Sequence, residues 1–103
     1  MKLSILLIDD DAEFVEAVKT TLLRHGNKVS VALNGGEGNK QFLFGDYDVV
    51  LIDKGLPDID GIKLASLMKS QKPDTLVIIV TGIGSNDDAM TAIKAGCDDY
   101  LFK

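Results

Sequence analysis

Three aspartates, a threonine and a lysine each stand directly behind a short apolar run in this chain. Asp9 and Asp10 follow Leu3-Ser4-Ile5-Leu6-Leu7-Ile8, and Asp53 follows Val49-Val50-Leu51-Ile52. Thr81 follows Leu76-Val77-Ile78-Ile79-Val80, and Lys103 follows Tyr100-Leu101-Phe102. Apolar runs without alternation suit strands covered on both faces, as in a parallel sheet between helix layers. Strands of one parallel sheet end along one edge, where open α/β sheets bind their ligands. The five polar side chains therefore converge. Carboxylates gathered there repel one another, and oxygen donors of this number suit Mg²⁺, which takes one or two carboxylates with waters and a phosphate. A hydroxyl and an ammonium opposite them suit phosphoryl oxygens. No cluster of Cys or His competes for a softer metal.

The elements that must position these groups are legible in order. An Asp of the 9–11 run is the expected N-cap of a first helix, with Glu13 in its first turn, and Phe14, Ala17, Val18 and Leu22 form its expected buried stripe. Gly26 ends it. Val29, Val31 and Leu33 alternate with Lys28, Ser30 and Ala32, which predicts a half-exposed edge strand. A second helix is expected over 37–44, short or mobile because Gly36, Gly38 and Asn39 are poor helix formers. After Asp53, the residues Gly55, Pro57, Asp58, Asp60 and Gly61 are turn and cap chemistry, so Asp53 faces a loop. A third helix is predicted over 62–70 with Leu64, Leu67 and Met68 inward, ended by Pro73. Ser85 reads as the N-cap of a fourth, carrying Ala89, Met90, Ala92 and Ile93 up to Gly96. Five strands alternating with four helices make an α/β, doubly wound parallel sheet.

Bulk properties set the class. A chain of 103 residues holds one domain, taken here as 1–103. A net charge of −5 without a Lys/Arg cluster argues against binding nucleic acid or an anionic membrane. The single Cys97 excludes an intramolecular disulfide, and no run approaches the roughly 20 apolar residues of a spanning helix. The expectation is a soluble, cytoplasmic protein. His25 reads as a helix-end cation, Cys97 as a small filler, Met68 and Met90 as core, and Asp87-Asp88 and Asp98-Asp99 as solvated charges.

The whole chain resembles the receiver domain of two-component response regulators. The matching motifs are Asp9-Asp10, Asp53 with Leu56-Pro57 and Asp60-Gly61, Thr81-Gly82, and Tyr100-Leu101-Phe102-Lys103, in the family's order and spacing. The resemblance implies a flavodoxin-like sheet of order 2-1-3-4-5. It implies phosphorylation on Asp53, with Mg²⁺ held directly by Asp10, Asp53 and the Gly55 carbonyl and through a water by Asp9. Lys103 would pair with the phosphoryl group, Thr81 would hydrogen-bond to it, and Tyr100 would change rotamer with Thr81. The implied donor is a sensor histidine kinase or a phosphotransfer protein, and the domain is a phosphoacceptor rather than an enzyme. Against the family pattern the sequence ends at Lys103, so the fifth helix is missing and a homodimer or an exchange of elements is expected. Gly55 and Ile83 fall at positions that in the family influence phosphoryl lifetime; neither has a polar side chain, so slow self-dephosphorylation is expected. A competing reading is a small haloacid-dehalogenase-like phosphatase, with Asp9 as nucleophile and Asp11 as acid.

Overall fold

The computed structural model describes residues 2–82 and 86–103, and in it strands and helices alternate as the apolar runs predict. The order is β1 (Ser4–Ile8), α1 (Ala12–Arg24), β2 (Lys28–Ala32), α2 (Gly35–Phe44), β3 (Val49–Ile52), α3 (Gly61–Gln71), β4 (Leu76–Thr81), α4 (Asn86–Lys94) and β5 (Asp99–Phe102). The strands form one parallel sheet in the order β2-β1-β3-β4-β5. At its carboxyl edge Ile8 lies between Ala32 and Ile52, and Ile52 faces Ile79. Right-handed crossovers in this order put α1 on one face and α2, α3 and α4 on the other. Among the described residues no helix is long and apolar enough to cross a membrane.

The two faces are buried unequally. Leu6, Ile8, Val50, Ile52, Val77 and Ile79 join Phe42, Leu64, Ala65 and Met68 in the core beneath α2, α3 and α4. Alternate strand residues point the other way, towards α1. There Ile5 and Leu7 are buried with Val15, but Val49, Leu51, Ile78 and Val80 are only half-buried. Cover on both faces therefore holds for β1, and for β3 and β4 on one face only.

Several helix faces differ from the sequence expectation. Asp11 caps α1, its side chain accepting the Phe14 N–H at 3.2 Å. The line of contact on α1 runs through Val15, with Phe14, Val18 and Leu22 half-buried, and it leaves Ala17 exposed. On β2, the edge strand, the buried residue is Ala32 beside α2, while Leu33 lies past the strand end and is exposed. The second helix begins at Gly35, two residues earlier than expected, and runs for ten residues. On α3 the inward residues are Ile62, Leu64, Ala65 and Met68, and Leu67 is exposed. Met90 is not core: it is 58% exposed, because α4 lies on the sheet through the small side chains Ala89 and Ala92. Ser85, the expected cap of α4, lies outside the described residues.

The amino edge of the sheet is closed by polar bonds. Lys69 Nζ donates to the carbonyls of Pro73 (2.8 Å) and Thr75 (2.9 Å) and to the Asp98 carboxylate (2.9 Å). Asp98 also accepts the Val77 N–H at 2.8 Å, so it is a tie between α3, β4 and β5 rather than a solvated charge. Lys72 Nζ donates to the carbonyls of Phe42 (2.7 Å) and Gly45 (2.8 Å), capping a helix that has no basic residue in its own last turn.

Candidate functional site

Ladder hydrogen bonds carry Asp9, Asp53 and Lys103 one step past the ends of their strands, and Thr81 is the last residue of β4. The Asp9 N–H bonds the Ala32 carbonyl at 3.1 Å, the Asp53 N–H the Ile8 carbonyl at 2.9 Å, and the Lys103 N–H the Thr81 carbonyl at 2.9 Å. All of them consequently share the carboxyl edge. Asp9, Asp10 and Asp53 each offer one carboxylate oxygen, and these oxygens lie within 4.8 Å of one another. Asp9 is 2% and Asp53 8% exposed, while Asp10 opens onto solvent.

The polar partners are close. Asp9 Oδ1 accepts the Asp11 N–H at 2.9 Å, and Asp9 Oδ2 lies 2.8 Å from Lys103 Nζ. That ammonium stands 3.8 Å from Asp53 Oδ1 and 4.2 Å from the centre of the Phe14 ring, whose face attracts a cation. Thr81 is fully buried, and its side chain hydrogen-bonds to Asp53. Tyr100 is buried in β5, three residues before Lys103, its ring edge-on to Phe102 at 5.4 Å.

Three carboxylates face one ammonium, and the imbalance falls on Asp53. Burial above all, and then the Asp9 charge, push its carboxyl above the usual carboxylate range; the Thr81 hydrogen bond and Lys103 oppose this without cancelling it. For Lys103, burial favours the neutral amine. The hydrogen bond and charge of Asp9, with Asp53 behind them, outweigh burial and hold it above the ordinary lysine value. Such a site has room for further positive charge beside Asp53.

The loop after Asp53 folds back on itself. Gly55 and Asp60 form an antiparallel bridge, and the Gly61 N–H donates to the Lys54 carbonyl at 2.8 Å. Asp60 starts α3 by accepting the Lys63 N–H at 3.2 Å. Gly61 rests so close to the Asp53 carbonyl that a Cβ there would collide with it. The expected turn and cap chemistry thus folds the loop back onto the end of β3 beside Asp53.

The residues singled out in the sequence, Asp9, Asp10, Asp53, Thr81 and Lys103, are brought together, with Gly55 on the adjoining loop. Ile83, tied by the resemblance to phosphoryl lifetime, lies outside the described residues. Two neighbours escaped the sequence reading. The sequence pattern places Phe14 in the α1 stripe, and its position three residues after the cap puts its ring under Lys103. Asp58 reads in the sequence as turn chemistry alone, and its carboxylate accepts the Gly35 and Gly36 N–H groups of α2, a contact with no local signature. The phosphatase reading finds no support in the site. Asp11, its required acid, is exposed and occupied as the α1 cap, and Asp9 lies buried against Lys103.

The comparisons with known proteins bear on the family. The family model for the response regulator receiver domain matches residues 5–103. The transcriptional regulatory protein PrrA of Mycobacterium leprae is 28% identical over 99 residues, covering 96% of this chain and 42% of PrrA. Among solved structures, the response regulator TrrA of Thermotoga maritima, in complex with Mg(2+)-BeF, is 31% identical with a TM-score of 0.89, covering 100% of this chain and 87% of that one. A response regulator of Burkholderia pseudomallei, solved with a phosphorylated aspartic acid, calcium ion and citrate, is 30% identical with a TM-score of 0.93, covering 98% of this chain and 59% of that one. This fold and site define a signalling domain of two-component systems. The chain belongs to the response regulator receiver domain family.

Proposed function

We propose that Asp53 is the phosphoacceptor, receiving a phosphoryl group in a Mg²⁺-dependent reaction from a phosphohistidine of a sensor histidine kinase or phosphotransfer protein. The observation that carries this reading is the buried Asp53 carboxylate, within 4.8 Å of the Asp9 and Asp10 oxygens and bonded to Thr81, with Lys103 at 3.8 Å. An Asp53 oxygen attacks phosphorus, the P–N bond to the donor imidazole breaks, and its electron pair leaves with the imidazole. The product is an acyl phosphate on Asp53. Asp10, Asp53 and the Gly55 carbonyl would hold Mg²⁺ directly and Asp9 through a water; hard oxygen donors of this number fit that ion. When bound, it supplies positive charge between the carboxylates and the phosphoryl oxygens.

The chain's own side chains do the rest. Lys103 is within reach of a phosphoryl oxygen on Asp53, and Phe14 keeps its ammonium over the site. The Thr81 hydroxyl exchanges the Asp53 carboxyl for a phosphoryl oxygen. That exchange vacates or fills the space next to Tyr100, whose ring changes rotamer with it. In this way the domain assists its own phosphorylation and dephosphorylation. The chain spans about 42% of the length of PrrA, a relative named as a transcriptional regulator. By that analogy the switch would govern an output carried elsewhere in a longer protein.

The test is to phosphorylate the protein with a small acyl phosphate and Mg²⁺, reduce the acyl phosphate with borohydride, and locate the modified peptide. Modification at Asp53 supports the reading; modification at Asp9 overturns it.

A further inference from the structure

The tip of the loop after Asp53 is held by α2. Asp58 lends one carboxylate oxygen to each of the first two amides of that helix: Oδ1 accepts the Gly35 N–H and Oδ2 the Gly36 N–H, both at 2.8 Å. Asn34 Oδ1 accepts the next amide, Glu37 N–H, at 2.8 Å, so the open end of α2 is closed jointly by its own cap and by a residue 23 positions away. The two amide bonds hold the Asp58 carboxyl below the usual range although it lies in the open.

Glycines make this approach possible. A Cβ on Gly35 would collide with Ile59 Cγ2, so only glycine lets the helix rest on the loop. One turn on, a Cβ on Gly38 would stand 2.5 Å from Ile8 Cδ1, so the same helix also lies directly on the residue before Asp9. The Gly-rich stretch is therefore an adaptation to close packing. Its helix touches the chain on both sides of the acidic cluster, at Ile8 and at Asp58-Ile59. The loop it grips has its base fixed by the Gly55–Asp60 bridge, which leaves its tip as the part requiring a second anchor.

We propose that Asp58 is a positioning residue. Its clamp across the Gly35 and Gly36 amides fixes the loop bearing Gly55, and through that loop sets the affinity of the acidic cluster for Mg²⁺. This rests on the Mg²⁺ site assigned above, and outer partners of a metal site commonly matter at the tenfold level.

The experiment titrates Mg²⁺ alone, without phosphoryl donor, into the 103-residue chain and follows the amide signals of Asp10, Asp53 and Gly55 by NMR, well below the melting temperature. Asp58→Ala is expected to weaken Mg²⁺ about tenfold, and Asp58→Asn, which keeps one acceptor, by less. Asn34→Ala is the control: it removes a cap from the same helix without touching the loop, and should leave the affinity unchanged. Equal loss in Asn34→Ala and Asp58→Ala would mean that helix stability alone is at work, and would overturn the proposal. So would wild-type affinity in a folded Asp58→Ala. Should Asp58→Ala not fold, Asp58→Asn decides the matter by the same criterion. Wild-type protein that binds Mg²⁺ but takes no phosphoryl group would refute the phosphoacceptor reading and leave the clamp standing.

Discussion

The two edges of the sheet treat charge in opposite ways. At the amino edge two half-buried cations have their partners: Lys69 bonds two carbonyls and Asp98, and Lys72 closes the end of α2 and lies 5.0 Å from the centre of the Phe42 ring. At the carboxyl edge three aspartates share one lysine, and Asp53 is driven above its ordinary range by burial and by Asp9. Both edges are built from the same materials, strand ends and helix ends with short polar side chains. The difference lies in whether the charges balance. Balance ties the elements together, whereas imbalance leaves a site with capacity for a cation and for a change of state.

That contrast can be broken first at the amino edge. Lys69→Met should destabilise the domain by about 3 kcal/mol, since it strands two carbonyls and the Asp98 carboxylate. Urea unfolding checks this, and an unchanged midpoint would show that the edge is not a tie. Asp98 sharpens the point through pH. The Val77 N–H and Lys69 overcome its desolvation and hold its carboxyl below the usual range. Its contribution is present above the unfolded carboxylate value and is lost as pH falls through the lower folded one. Lys69→Met should flatten that acid limb of the stability curve. Lys72→Met should cost less, about 1–2 kcal/mol, because the two carbonyls it leaves lie at a helix end that water can reach.

The sequence was most informative where local chemistry decides structure. Unbroken apolar runs located the strands, and turn residues behind Asp53 located the carboxyl edge, because both signals act over a few neighbouring residues. The acidic site followed from placing strand ends on one edge. Errors arose where a residue's fate depends on partners far along the chain. Ala17 and Leu67 fell on the wrong side of their helices, and Met90 was displaced outward, because the packing line depends on which neighbour is present. The glycines of α2 read as weakness by propensity, yet they serve contacts with Ile8 and Ile59 that no local pattern reveals. Asp98 and Asp58 look like ordinary turn acids until Lys69 and the Gly35 and Gly36 amides come into reach.

The carboxyl edge carries uncompensated negative charge, which a bound Mg²⁺ would relieve. This is tested by melting the wild type and Asp53→Asn, each with and without Mg²⁺. A raised carboxyl favours the fold while protonated, and that advantage is lost as pH rises through its folded value, so at neutral pH the charged Asp53 is a liability. Without Mg²⁺, Asp53→Asn should melt about 5 °C higher, equivalent to about 1 kcal/mol, and the gap should close as pH falls towards the ordinary carboxylate range. Free Mg²⁺ at about a hundred times its dissociation constant should then stabilise the wild type by about 2.7 kcal/mol and Asp53→Asn by clearly less. A wild type that melts at or above Asp53→Asn, and that Mg²⁺ leaves unmoved, would contradict the account.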